Sequence, residues 1–116
     1  MDIGNRDENM YQACIDACNR CAQICNECFQ ACLNEPDVNE RRNCISLLNE
    51  CAQMCQMSSS IMSTNGQFLR EHCELCANIC EKCGAECDMF KDDHCRNCAT
   101  ECYACMDECR RMGAML

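Results

Sequence analysis

Alternating gaps of three and four residues between cysteines constrain this chain more than any other feature. Cysteines stand at Cys14, Cys18, Cys21, Cys25, Cys28 and Cys32, then Cys44, Cys51 and Cys55, then Cys73, Cys76, Cys80, Cys83 and Cys87, then Cys95, Cys98, Cys102, Cys105 and Cys109. Fourteen of the eighteen gaps are three or four, and none is one or two. That is the a/d rhythm of a heptad, so the cysteines of each segment fall on one stripe of an α-helix. The period of two that marks a strand is absent.

Helix punctuation divides the chain into the same four segments. Asn5 with Glu8, Asp37 with Glu40 and Thr64 with Gln67 each pair a capping residue with Glu or Gln three positions on. Pro36 and Asn65-Gly66 break the chain between segments, and Asp92-Asp93 offers a cap for the fourth. The pattern predicts helices over about 6–34, 38–62, 65–90 and 93–113, the boundaries good to roughly 2–4 residues. Short connections imply antiparallel neighbours, hence an all-α, up-down-up-down four-helix bundle with a cysteine-lined core. With no linker or low-complexity tract, residues 1–116 are read as a single domain. In helix 1 the cysteines are flanked by Ala17, Ile24 and Ala31 on one side and Ile15, Ala22 and Phe29 on the other, which centres them on the apolar face. Helix 2 carries fewer thiols, its stripe running Cys44, Leu48, Cys51, Cys55, Ser58, Met62.

Composition sharpens the problem. Leu, Ile, Val and Phe make up only 16 of 116 residues and the net charge is −9, a balance typical of disordered chains unless cysteine supplies the core. Thiols pack like small hydrophobes, yet a bundle core built almost wholly from them is underfilled, so something else should occupy its centre.

Several functions are excluded by charge and hydropathy. Ten Lys and Arg against nineteen Asp and Glu, with few aromatics, make nucleic acid a poor partner, and an acidic chain does not suit an anionic membrane surface. No apolar run has transmembrane length and the first residues lack a signal-peptide pattern, so a cytoplasmic location is expected, where thiols stay reduced. Six overlapping CxxC motifs single out no nucleophile, which argues against an enzyme.

What remains is soft-metal binding. An odd number of evenly spaced thiols is a poor set for defined disulfides, although a disulfide-stapled helical protein stays as an alternative. Structural zinc favours discrete sets of four ligands; Cys80-Glu81-Lys82-Cys83-Gly84 resembles one knuckle, but it continues in helical register. No ferredoxin-type iron–sulfur run occurs. Cu(I) is thiolate-loving and accepts two or three sulfurs. Eight CxxxC pairs (14/18, 21/25, 28/32, 51/55, 76/80, 83/87, 98/102, 105/109) each place two thiols one helical turn apart. Replacing each thiol proton by Cu(I) leaves the net charge unchanged, whereas divalent ions at the same ratio bury uncompensated charge. The spacing thus supports many Cu(I) ions, with another soft metal (Zn, Cd, Ag) as the alternative cargo.

Nearly the whole chain, about residues 11–112, resembles the bacterial cytosolic copper storage proteins. The resemblance rests on Tyr11-Gln12-Ala13-Cys14-Ile15-Asp16-Ala17-Cys18, Glu50-Cys51-Ala52-Gln53-Met54-Cys55, the run from Cys73 to Cys87, and His94-Cys95-Arg96-Asn97-Cys98. It implies a non-catalytic store that binds many Cu(I) ions through all nineteen cysteines, filled by a chaperone or a small thiol. It also implies a homotetramer, with copper passing through one open end. The helix 3–helix 4 connection carries fewer histidines than in cytosolic members of that family. An antiparallel arrangement gathers His94, Cys95, Cys87, Cys44 and Cys32 at one end, the expected entrance with His94 as a further ligand. It gathers Tyr11, Met62, Leu69 and Met112 at the other as an apolar plug. His72 is read as a flanking polar residue.

Overall fold

The computed structural model describes the backbone of residues 2–116 and the side chains from Met10 onward. Four α-helices, α1 (Asp2–Leu33), α2 (Arg42–Ser63), α3 (Leu69–Cys87) and α4 (Asp93–Met115), form a bundle; a single 3-10 turn, Val38–Arg41, precedes α2. Each helix packs against its neighbours in sequence and α1 packs against α4, so the four run alternately up and down around a closed square. The molecule is a rod of 53 × 19 × 17 Å. No helix among the described residues is long and apolar enough to cross a membrane.

Small residues beside the cysteine stripe let the helices approach closely. Ala17, Ala22, Ala52, Ala77 and Ala99 are all buried at the helix contacts, and with no bulk there the stripes meet at the bundle axis. The larger flanking residues Ile15, Ile24, Phe29, Ile45 and Ile79 are partly buried and pack against the cysteine core from outside.

The helices begin and end differently from the capping patterns, for local physical reasons. The backbone of α1 is helical from Asp2, an acidic residue where the helix dipole favours one; Asn5 therefore lies within the helix, and its side chain lies outside the described residues. Asp37 precedes the 3-10 turn without capping it, because its carboxylate accepts a hydrogen bond from Arg41 Nε at 2.7 Å. Thr64 ends α2 rather than starting α3, its hydroxyl donating back to the Ser60 carbonyl at 3.1 Å. The next residue, Asn65, has φ 55°; its N–H donates to Met62 O at 3.2 Å and the Gly66 N–H to Ile61 O at 3.0 Å. This is a Schellman ending, in which a left-handed residue satisfies carbonyls that the helix leaves open. Helix α3 consequently starts at Leu69, four residues later than its sequence pattern implies. Asp92 does occupy the N-cap of α4, but its side chain makes no capping bond.

Gly84 marks a close approach of α3 to α4. A Cβ there would stand 2.9 Å from a ring carbon of Tyr103, whose hydroxyl donates to Asp88 at 3.2 Å. Replacing a helical glycine by alanine gains about 1 kcal/mol from propensity alone, whereas overpacking costs about 1–3 kcal/mol. Gly84→Ala is therefore expected to destabilise the reduced protein in urea, yet to stabilise it by about 1 kcal/mol once Tyr103→Ala has cleared the ring. Equal effects in the two backgrounds would show that the ring does not hold the crossing.

Candidate metal centre

The stripes of the four helices meet in stacked layers, each helix giving one side chain per layer. Sulfur–sulfur contacts fix the register between α1 and α4: Cys14–Cys109 at 3.7 Å, Cys18–Cys105 at 3.7 Å, Cys21–Cys102 at 3.9 Å, Cys25–Cys98 at 3.8 Å and Cys28–Cys95 at 3.7 Å. Between α2 and α3 the contacts are Cys55–Cys76, Cys51–Cys80 and Cys44–Cys87, each 3.8 Å, and Cys21–Cys51 at 3.9 Å ties α1 to α2.

From one end to the other the layers read Tyr11, Met62, Leu69, Met112; Cys14, Ser58, Cys73, Cys109; Cys18, Cys55, Cys76, Cys105; Cys21, Cys51, Cys80, Cys102; Cys25, Leu48, Cys83, Cys98; Cys28, Cys44, Cys87, Cys95; and Cys32, Arg41, Phe90, Asp92. All nineteen cysteines are free, buried and in this column. Ser58 and Leu48 are the two non-cysteine positions within the thiol layers, both on α2 and both fully enclosed.

Close sulfur pairs run mostly between helices. Of the eight one-turn pairs, 21/25, 28/32 and 105/109 come within 3.9–4.0 Å, while the shortest sulfur contact, Cys32–Cys95 at 3.6 Å, joins α1 to α4. Sets of ligand atoms within 4.8 Å of one another include Cys18/Cys76/Cys105/Cys109, Cys21/Cys55/Cys80/Cys105, Cys21/Cys25/Cys51/Cys102, Cys28/Cys32/Cys95 with His94, and Cys28/Cys87/Cys98. Cys21, Cys28 and Cys105 each belong to two sets, so neighbouring ions would share ligands.

The thiols hydrogen-bond to one another in place of solvent. The hydrogen bonds of Cys55 with Cys105 and neighbouring sulfurs, and of Cys102 with Cys21 and its neighbours, push both thiols up together with burial. At Cys51 and Cys98 the hydrogen bonds with Cys102 and neighbouring sulfurs pull both thiols down in spite of burial. Cys73 is pushed up by its bond to Cys14 and by burial. Such a network can surrender its protons when a soft cation takes their place.

The two ends differ in chemistry. Tyr11, Met62, Leu69 and Met112, all at most 7% exposed, close one end, and the Tyr11 hydroxyl donates to Asn65 Oδ1 at 3.2 Å across the helix ends. At the other end His94 stands 27% exposed, its Nδ1 3.5 Å from Cys28 Sγ and 3.6 Å from Cys95 Sγ. Its Nε2 faces Glu35 at 2.8 Å and Asp92 at 2.7 Å. These carboxylates favour a proton on Nε2 and leave Nδ1 turned to the sulfurs. Arg41 is buried beside it, donating to Asp37 and, at 2.8 Å, to Asp92, with Nη1 3.4 Å from Cys95 Sγ and 3.6 Å from Cys32 Sγ. Its guanidinium lies 4.4 Å from the centre of the Phe90 ring.

The predicted gathering of His94, Cys95, Cys87, Cys44 and Cys32 is thus found, and Arg41, Glu35, Phe90 and Asp92 join it. Each of those four stands three residues beyond the terminal cysteine of its helix (35 after 32, 41 before 44, 90 after 87, 92 before 95). Continuing the stripe by one step would have found them. His72 is half-buried on the flank of α3, away from the column.

The fold and this column define a protein of the thiol-lined helical-bundle class. A sequence model of copper storage proteins matches residues 7–114, and the chain belongs to the copper storage protein family. Among solved structures it is similar to the Cu(I)-bound copper storage protein BsCsp3, at 43% identity and a TM-score of 0.86 over 90% of this chain and 98% of that one. It is also similar to the Streptomyces lividans copper storage protein loaded with 10 copper equivalents, at 34% identity and a TM-score of 0.92 over 100% and 92% of the two chains. A cysteine-rich protein of Bacillus subtilis, YhjQ, is 44% identical over 80 residues, 69% of this chain and 74% of that one.

His94 sets a pH dependence of the apo-protein. Burial opposes its protonation, but Glu35, Cys95 and Asp92 outweigh burial and raise it above 6.5. A group with a raised folded value contributes stability that is fully present below its unfolded value and is lost as pH rises through the folded one. The stability difference between wild type and His94→Gln should therefore be largest below pH 6.5 and shrink above it, as read from urea unfolding of reduced, metal-free protein. A difference that grows with pH would contradict the assignment.

Proposed function

We propose that this chain is a cytosolic Cu(I) store, in which the nineteen cysteines are the ligands and His94 serves at the entrance. The observation that carries the reading is a buried column of free thiols whose sulfurs fall in groups within 4.8 Å. If Cu(I)–S bonds are close to the roughly 2.3 Å of zinc thiolates, three sulfurs around one ion stand about 4.0 Å apart and two opposed ones about 4.6 Å apart. The contacts of 3.6–4.0 Å between adjacent sulfurs therefore require little backbone movement for loading. A relative described as a cytosolic copper storage protein, from Streptomyces lividans, supports the location.

The role is storage rather than catalysis. The thiols form one repeating column, and those beside His94, Cys28 and Cys95, belong to a ligand group rather than standing as a lone nucleophile. Copper arrives from a chaperone or a low-molecular-weight thiol. Self-association into a tetramer belongs to the same reading; exposed Met57 and Leu75, beside a surface groove between α2 and α3, support it.

Anaerobic titration of reduced protein with Cu(I) against a chromophoric chelator should saturate well above five ions per chain and approach the cysteine count. The melting temperature should climb with each addition, because ions that bind only the folded state stabilise it by mass action. Saturation at a few ions, tight stoichiometric zinc that Cu(I) fails to displace, or an unchanged melt would overturn storage. Intact mass with and without reductant separates the disulfide-stapled alternative, which predicts paired losses of hydrogen.

A further inference from the structure

Leu48 is the one large aliphatic side chain among the thiol layers, fully buried where the register calls for an inward residue. The sulfur network loosens beside it. Hydrogen bonds of 4.0 Å or less connect sulfurs continuously from Cys14 and Cys109 to Cys25 and Cys98. On the entrance side they join Cys28, Cys32 and Cys95 to one another and Cys44 to Cys87. Among the described residues none of these contacts of 4.0 Å or less crosses from one side to the other; Cys28 with Cys98, and Cys83 with Cys87, interact across the boundary only more loosely. The two sides meet in a looser group, Cys28, Cys87 and Cys98, whose sulfurs lie within 4.8 Å of one another.

We propose that Leu48 divides the column into an entrance compartment and an inner store, and makes Cys28, Cys87 and Cys98 the transfer site between them. The inference rests on the storage reading. A Cu(I) ion moves through a dry core by exchanging one thiolate for the next; no electron is transferred, and the proton of the receiving thiol passes to the thiolate left behind. That exchange needs an unbroken series of sulfurs. Around the Leu48 layer three helices supply one and α2 supplies a hydrocarbon wall, so ions pass on the side of α3 and α4. The far end is sealed by its apolar layer, and His94 is the partly exposed donor in contact with thiols, which places arrival at the compartment of Cys28, Cys32, Cys44, Cys87 and Cys95. Leu48 acts as a positioning residue here: it binds no metal and controls the path.

Ser58, the other interruption, is small and shares the layer of Cys14 and Cys109 at the inner end of the continuous network, with its buried hydroxyl unpartnered. It serves as an internal control, because a thiol added there extends the store without touching the boundary.

The test follows Cu(I) uptake from its glutathione complex into the reduced full-length protein, by Cu(I)–thiolate absorbance. In parallel, metal-free protein is labelled with N-ethylmaleimide and the modified cysteines are mapped by mass spectrometry. Wild type should fill in two phases, and its five entrance thiols should label first, the remainder slower by about tenfold, as expected when one region opens more readily than another. Leu48→Cys should merge the copper phases and add about one ion to the capacity. Ser58→Cys should add one ion and keep both phases. Leu48→Ala, which removes the hydrocarbon without adding a ligand, should keep both phases at unchanged capacity, because α2 still supplies no sulfur in that layer. Should it fail to fold, Leu48→Cys still decides. Ala52→Gly, which loosens α2 away from the column, should keep both phases and so controls for general destabilisation. Uptake and labelling in one phase in wild type, or two phases persisting in folded Leu48→Cys, would overturn the partition. A chain that binds little copper, yet labels in two Leu48-dependent phases, would overturn storage and leave the partition standing.

Discussion

Everything in this structure depends on four helices presenting small side chains to one another at close range. Alanine beside the stripes brings the helix axes together, and cysteine on the stripes is the residue that then fits. The sulfurs touch at 3.6–4.0 Å, so the interior is at once a packed core and a ligand array, in place of the underfilled centre expected from thiol volume, because the small flanking residues let the helices close in. Leucine at the same positions would force the helices apart and fill the lumen. The same narrowness explains how a chain with so little aliphatic content forms a bundle: thiol contacts, not branched side chains, occupy its axis.

The ends show what happens where that rule stops. One layer past the thiols on one side, Tyr11, Met62, Leu69 and Met112 supply the bulk that the lumen lacks and exclude water. One layer past them on the other side, Arg41, Phe90 and Asp92 surround Cys32, and Glu35 and His94 close around them. A buried guanidinium is tolerable only with partners for its charge and its donors, and Asp92, Asp37, two sulfurs and the Phe90 ring provide them. The carboxylates that the capping pattern assigned to helix starts are used here instead. Arg41 is held well above its ordinary value chiefly by Asp92, against the opposing effect of burial, so this end keeps a fixed positive charge beside the outermost thiols.

The bundle, its antiparallel order and the inward direction of every cysteine were legible because a heptad rhythm sustained over most of a chain has one structural solution. Helix starts were legible only in part. A capping box is a local pattern, and Arg41 competes for both carboxylates, from four residues along the chain at Asp37 and from across the fold at Asp92. At Thr64 the left-handed Asn65 moves the break, so that the residue read as the start of α3 ends α2. Arg41 was missed because it sits in a 3-10 turn, outside the run that displays the rhythm, although its position three residues before Cys44 keeps the register. The pairing of sulfurs across helices was hidden for another reason: spacing shows which thiols share a helix, and only the packing shows which ones meet.

Charge explains why the lumen and its mouth are built so differently. Inside, exchanging a thiol proton for Cu(I) changes the cargo without changing the charge, so a dry, uniform and rigid column can be filled without a compensating group at each step. At the mouth that equality fails, because an arriving cation is not yet matched by a released proton. Asp37, Glu35 and Asp92 there face Arg41 and His94, giving a local surplus of negative charge that deepens when His94 is neutral. Such a surplus attracts a cation or a cationic donor surface, while Arg41 answers the negative charge of thiolates already formed at Cys32 and Cys95. The neutral interior can therefore be built almost entirely from one residue type, and the chemical variety of the chain is concentrated at its mouth.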